Sequence, residues 1–134
     1  MDELKHFPLN HEETTKIQNL INEISKDPDI LGLIRYGSST KTVQYQDVDL
    51  CIVAKSKEIS PEKQLKFRLF LEEHFDIHFF HNLLLYIQYE VLKHGIVEYV
   101  KDYDHLFNIC IQSIKAYSLY APKYHRYLKW IENE

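Results

Sequence analysis

The chain has 134 residues, with 16 Lys and Arg against 20 Asp and Glu, a formal net charge of −4, and 45% hydrophobic and 27% charged residues. That balance suits one globular domain hiding about two-thirds of its unfolded surface, and it excludes a largely disordered chain. The negative charge, with Lys and Arg spread along the sequence, argues against a nucleic-acid partner. No apolar run approaches the roughly 20 residues that span a bilayer, so no membrane is expected.

In chain order, residues 1–6 are polar and acidic and do not read as a secretory signal. Asn10 can cap a first helix and Glu13 can complete a capping box, with Ile17, Leu20, Ile21 and Ile24 as one apolar stripe. The sequence around Pro28 ends that helix. Residues 30–36 form a short apolar run with the length of a buried strand, and Gly37, Ser38, Ser39 and Thr40 break it and can open a helical turn. An acidic strand is predicted over about 47–54. Ser60 as cap and Pro61 at the first helical position start a helix expected to reach about His74. Its Leu65, Phe67, Leu69, Phe70 and Leu71 are expected to cover a broad apolar face.

Residues 75–80 read as a third strand, with Asp76 and His78 on one face and Phe75, Ile77 and Phe79 on the other. A helix from about Asn82 is expected to end at His94, where Gly95 suits a left-handed cap. Residues 96–100 look like a short edge strand. The remainder reads as one helix broken near Pro122, or as two. This order predicts an α/β (α+β) fold: a small mixed sheet with helices mainly on one face, a core over about 10–100 and a C-terminal helical segment over about 102–133. Cys51 and Cys110 lie in apolar stretches and read as buried, reduced thiols, which points to the cytosol.

The chemistry concentrates in one region. Side chains alternate across a strand, so Asp47 and Asp49 project the same way while Val48, Leu50 and Ile52 project oppositely. Two acids so placed repel by roughly 1 kcal/mol in water and about 4 at an effective dielectric of 20. An otherwise apolar strand keeps such a pair when a cation relieves it. The preceding Gly37-Ser38 turn offers backbone amides and a hydroxyl to an anion. Mg²⁺ favours one or two carboxylates together with phosphate oxygens, and Asp76 on a neighbouring strand would supply a third acid.

Gly37-Ser38, then Asp47-Val48-Asp49-Leu50, then Asp76 resemble the pattern of the DNA polymerase β-type nucleotidyltransferases. The small size points to their minimal (MNT) branch, and residues 90–102 are similar to a segment of MNT antitoxins paired with HEPN toxins. The resemblance covers nearly the whole chain. It implies a nucleotidyltransferase fold and transfer of AMP from ATP to a hydroxyl, with release of pyrophosphate. The acceptor it implies is a tyrosine of a partner HEPN ribonuclease. It further implies that Asp47 and Asp49 bind two Mg²⁺ ions, that Asp76 binds one and takes the acceptor's proton, and that Gly37 and Ser38, with Ser39 and Lys41 beside them, hold the nucleotide's phosphates. Eight residues separate Ser38 from Asp47, fewer than in the usual pattern. Ser39, Thr40, Lys41 and Thr42 supply neither the usual Ala nor Gly, and Gln46 stands where Ser is common. Such a loop is expected to approach the phosphates less closely.

Other readings stay open at this point. The protein is alternatively a nucleotide-binding module that neutralises its partner by occlusion, or an aminoglycoside-type transferase acting on a small hydroxylated molecule. Oligomers with itself or a partner are compatible with the sequence. Arg35, Lys41 and Lys55 either neutralise phosphate or are solvated surface residues. His78 would line the acceptor side. His74, His78 and His81 have helical spacing for zinc, but the strand alternation scatters them. Tyr117, Tyr120, Tyr124 and Tyr127 recur at helical spacing, as core packing or as a partner interface.

Overall fold

The computed structural model describes residues 9–42 and 44–133, so the reading of residues 1–6 lies outside it. Helix α1 (His11–Ser25) starts at the expected capping box: the Asn10 side chain accepts from the Glu13 amide at 2.7 Å, and the Asn10 amide donates back to Glu13. Strand β1 (Ile30–Tyr36) and strand β2 (Val48–Ala54) are joined through a short 3₁₀ turn, Gly37–Thr40. Helix α2 (Pro61–Arg68), strand β3 (Phe75–Phe79), helix α3 (Leu85–His94), strand β4 (Ile96–Val100) and helix α4 (Tyr103–Glu132) follow.

The sheet order is β3-β2-β1-β4, with β4 at an edge as expected. β1 pairs antiparallel with β2 and β4, while β2 and β3 run parallel, as a helical crossover through α2 requires. One core joins Ile17, Leu20 and Ile24 of α1 and Phe67 of α2 to Leu33, Val48, Leu50, Ile52 and Ile77. A second core joins Val91 of α3 and Leu106 of α4 to Ile34, Cys51, Val53 and Phe80. Helices therefore stand on both faces, which corrects the expectation that they lie mainly on one. The alternation of β1 and β2 is apolar on both sides, as a doubly covered sheet demands.

Three local features also differ. α2 stops at Arg68 rather than near His74, because only Phe67 of its apolar residues is buried; Leu65 and Leu69 are 53% and 70% exposed. Gly95 is not left-handed (φ −72°). It is glycine because a Cβ there would meet the Val91 carbonyl at 2.4 Å and Ile34 Cγ2 at 2.6 Å. α4 runs unbroken through Pro122. Tyr120 and Tyr124 stack across the proline at 5.4 Å, and Tyr124 stacks on Tyr86 of α3 at 5.7 Å, so tertiary packing outweighs the missing amide.

Of the cysteines, Cys51 is fully buried and Cys110 half-buried, and both are free thiols. Among the described residues, no helix is long and apolar enough to cross a membrane.

Candidate active site

Strand register assembles the site. Tyr36 pairs with Asp49 across β1 and β2, and Asp49 pairs with Asp76 across β2 and β3. Residues directly opposite share a face, so Tyr36, Asp49 and Asp76 form one row across three strands. The next row is Ile34, Cys51 and His78. Asp47 lies one residue before β2, exposed.

Asp49 is half-buried, the least exposed of the three acids. Desolvation first, then the charges of Asp76 and Asp47, push its carboxyl up to about 6, with His78 pulling the other way. Asp76 is more open, its side chain 55% exposed, and its Oδ1 lies 3.1 Å from His78 Nε2. Among the described residues, no group of three or more His, Cys, Asp or Glu side chains is gathered closely enough to hold a metal ion. The trio expected from the sequence is therefore a facing pair, Asp49 and Asp76, with Asp47 beside it. The donors are of the class a hard divalent cation selects, and the raised Asp49 carboxyl reflects its desolvation first and the neighbouring acids second.

The Gly37–Thr40 turn abuts Asp49. Gly37 has φ +80°, and a Cβ on it would lie 2.2 Å from Asp49 Oδ2. The turn thus needs glycine twice, for its left-handed backbone and for the carboxylate against it. Ser38 is the exposed residue of the turn; Thr40 is buried and its hydroxyl donates to the Gly37 carbonyl at 2.8 Å. Ser39 points inward and is fully buried, so its hydroxyl is not offered to a phosphate. Lys41 is exposed at the end of the turn.

Arg35 does not flank a phosphate. It is 4% exposed on the α1 side of the sheet. There Nε donates to Glu98 Oε2 at 2.8 Å, and Nη1 donates to the Ser39 carbonyl at 2.8 Å. It braces the turn from beneath. Neither this role nor its partner Glu98 was read from the sequence, since a charged residue at a strand end is ordinarily solvated. Tyr36 was missed too. Burial raises its phenol above the usual range, with Cys51, Asp49 and Asp76 adding to the effect, so it stays protonated beside the acids. Only the pairing register, which a sequence does not print, places it there.

The histidines scatter as the strand alternation implied: His74 Nε2 lies 3.3 Å from Glu13 Oε2, while His78 serves Asp76. The tyrosines divide between both readings. Tyr89 stacks on Tyr117 at 4.3 Å and Tyr86 on Tyr124, joining α3 to α4. Tyr127 and Trp130 are 58% and 61% exposed near the end of α4.

No protein-family profile matches the chain, and no curated protein matches it in sequence. Solved structures do match in fold. A mutant of the toxin–antitoxin pair MntA–HpeT aligns with a TM-score of 0.71 at 15% identity, covering 93% of this chain and 99% of that one. A toxin–antitoxin structure with AMP-PNP aligns at 0.69 and 14% identity, covering 88% and 97%. A tri-AMPylated Shewanella oneidensis HEPN toxin in complex with MNT antitoxin aligns at 0.68 and 13% identity, covering 92% and 99%. The mixed four-stranded sheet with its C-terminal helix is thus a fold shared with these toxin–antitoxin structures.

Proposed function

We propose that this protein is an MNT-type antitoxin that transfers AMP from ATP to a tyrosine hydroxyl of a HEPN-type toxin. The observation that carries the reading is Asp49, desolvated against Gly37 and facing Asp76 across the parallel register. The solved relatives in fold support it: one is a complex with AMP-PNP, and another holds an AMPylated HEPN toxin with its MNT antitoxin.

In this reading the Gly37 and Ser38 amides and the Ser38 hydroxyl hold the β and γ phosphates. Lys41, exposed beside them, screens their charge, and Arg35 keeps the turn in shape through Ser39. Asp47, Asp49 and Asp76 would hold Mg²⁺, which when bound neutralises phosphate charge and stabilises the attacking and leaving oxygens. The tyrosine oxygen attacks the α-phosphorus, the bond to the bridging oxygen breaks, and pyrophosphate leaves. Asp76, held by His78, takes the tyrosine proton. The exposed Tyr127 and Trp130 of α4 support a protein acceptor, because aromatic side chains of that kind are enriched at partner surfaces.

One observation favours a second reading, neutralisation by occlusion without transfer: the acids are not gathered into a metal-holding group. The test incubates the chain with Mg²⁺, a HEPN-type toxin and ATP labelled on either the α or the γ phosphate. Adenylyl transfer leaves α label on the toxin and none from γ, and Asp49→Asn abolishes it. A stable complex carrying neither label supports occlusion instead.

A further inference from the structure

A cavity of about 490 Å³ opens at the carboxyl ends of β2 and β3, between α3 and α4. It lies far from the acids: Lys55 is six residues beyond Asp49 along the strand direction, roughly 20 Å at 3.3 Å per residue. Its volume falls within the roughly 300–1,000 Å³ of small-molecule sites. The floor is apolar, made by Val53, Phe80 and Ile109 among others. One wall is polar and preset. Gln88 and Ser113 are both buried, Ser113 Oγ donates to Gln88 Oε1 at 2.7 Å, and Gln88 Nε2 donates to the Phe80 carbonyl at 2.9 Å. The rim carries Lys55, Lys57 and His81. In a chain with 20 acids against 16 bases, no Asp or Glu stands among the described residues lining this cavity.

We propose that this cavity is a second binding site, for an organic anion of nucleotide size: a flat apolar body seated on Phe80 and Ile109, with a phosphate held by Lys55 and Lys57. The match is one of charge and shape together. A purely apolar guest would leave the two ammonium groups unused, and inorganic phosphate would leave the floor uncovered. The inference stands on the cavity alone and holds whether or not the acidic row performs transfer.

Calorimetric titration of the full chain in EDTA tests it, with AMP, adenosine and inorganic phosphate as the probes. AMP is expected to bind saturably at one site, and adenosine and phosphate at least about tenfold more weakly, the worth of one charge-assisted contact. Asp49→Asn is expected to leave AMP affinity unchanged. The double variant Lys55→Glu, Lys57→Glu weakens it by about tenfold or more, and Ala116→Trp, filling the cavity from α4, removes it. The two charge reversals lie on exposed residues, so folding is not at stake there. The absence of saturable AMP binding at millimolar concentration overturns the proposal. So does loss of binding in Asp49→Asn, or unchanged binding in the charge-reversed variant.

Discussion

Gly37 and Asp49 are the most constrained pair of residues in the site. Gly37→Ala places a Cβ against Asp49 Oδ2 on a backbone with φ +80°, so it should cost about 1–2 kcal/mol from the left-handed strain alone. It should also abolish Mg²⁺-dependent ATP binding; a fully folded variant that keeps that binding would contradict the role given to this turn. Asp49 gives a pH signature. Its folded pKa, about 6, lies above its ordinary 3.8. The folded state therefore binds this proton more tightly, and stability falls as pH rises from about 4 through 6. Above that range the metal-free protein carries the full penalty. Asp49→Asn should raise the melting temperature in EDTA at pH 7.5 and leave it nearly unchanged at pH 4. Equal gains at both values would mean that Asp49 is not strained by its neighbours. The acids were legible because alternation on an apolar strand isolates them. Ser39 and Arg35 were not, because their inward orientation follows from the turn's fold and from Glu98, 63 residues away in sequence.

At the scale of elements, the Arg35–Glu98 pair ties β1 to β4 and the Gly37–Thr40 turn to both. Removing one member of a buried pair leaves the other charge uncompensated, at a cost of about 3–5 kcal/mol. Glu98 is 23% exposed, so Arg35→Ala should fall near the lower end of that range. Chemical denaturation measures it, and a loss under about 1 kcal/mol would show the pair to be a solvated one. α1 announced itself in sequence because its cap and stripe are local signals. The start of α2 was legible in the same way, from Ser60 and Pro61, but its end was not, since Leu65 and Leu69 remain exposed and apolar content alone was misleading. The unbroken α4 was equally hidden: what carries it past Pro122 is stacking against Tyr86, a contact between helices.

For the whole molecule, the sheet has helices on both faces, and the row of Tyr36, Asp49 and Asp76 sits at one end of it. The mixed fold was readable from the order of elements, and the candidate site from three acids and a Gly-Ser turn. The distribution of helices was not, because apolar residues on both faces of β2 were read for only one. α4 ends with Tyr127, Trp130 and Ile131 exposed, an uncovered surface of the kind a protein partner buries. The measurement that bears most directly on the account is ATP binding with and without Mg²⁺ by wild type, Asp49→Asn and Asp76→Asn, each checked as folded. Wild type should bind ATP tightly only with Mg²⁺, and both variants should lose that dependence. Mg²⁺-dependent binding that survives in Asp76→Asn would contradict a shared role for the two facing carboxylates.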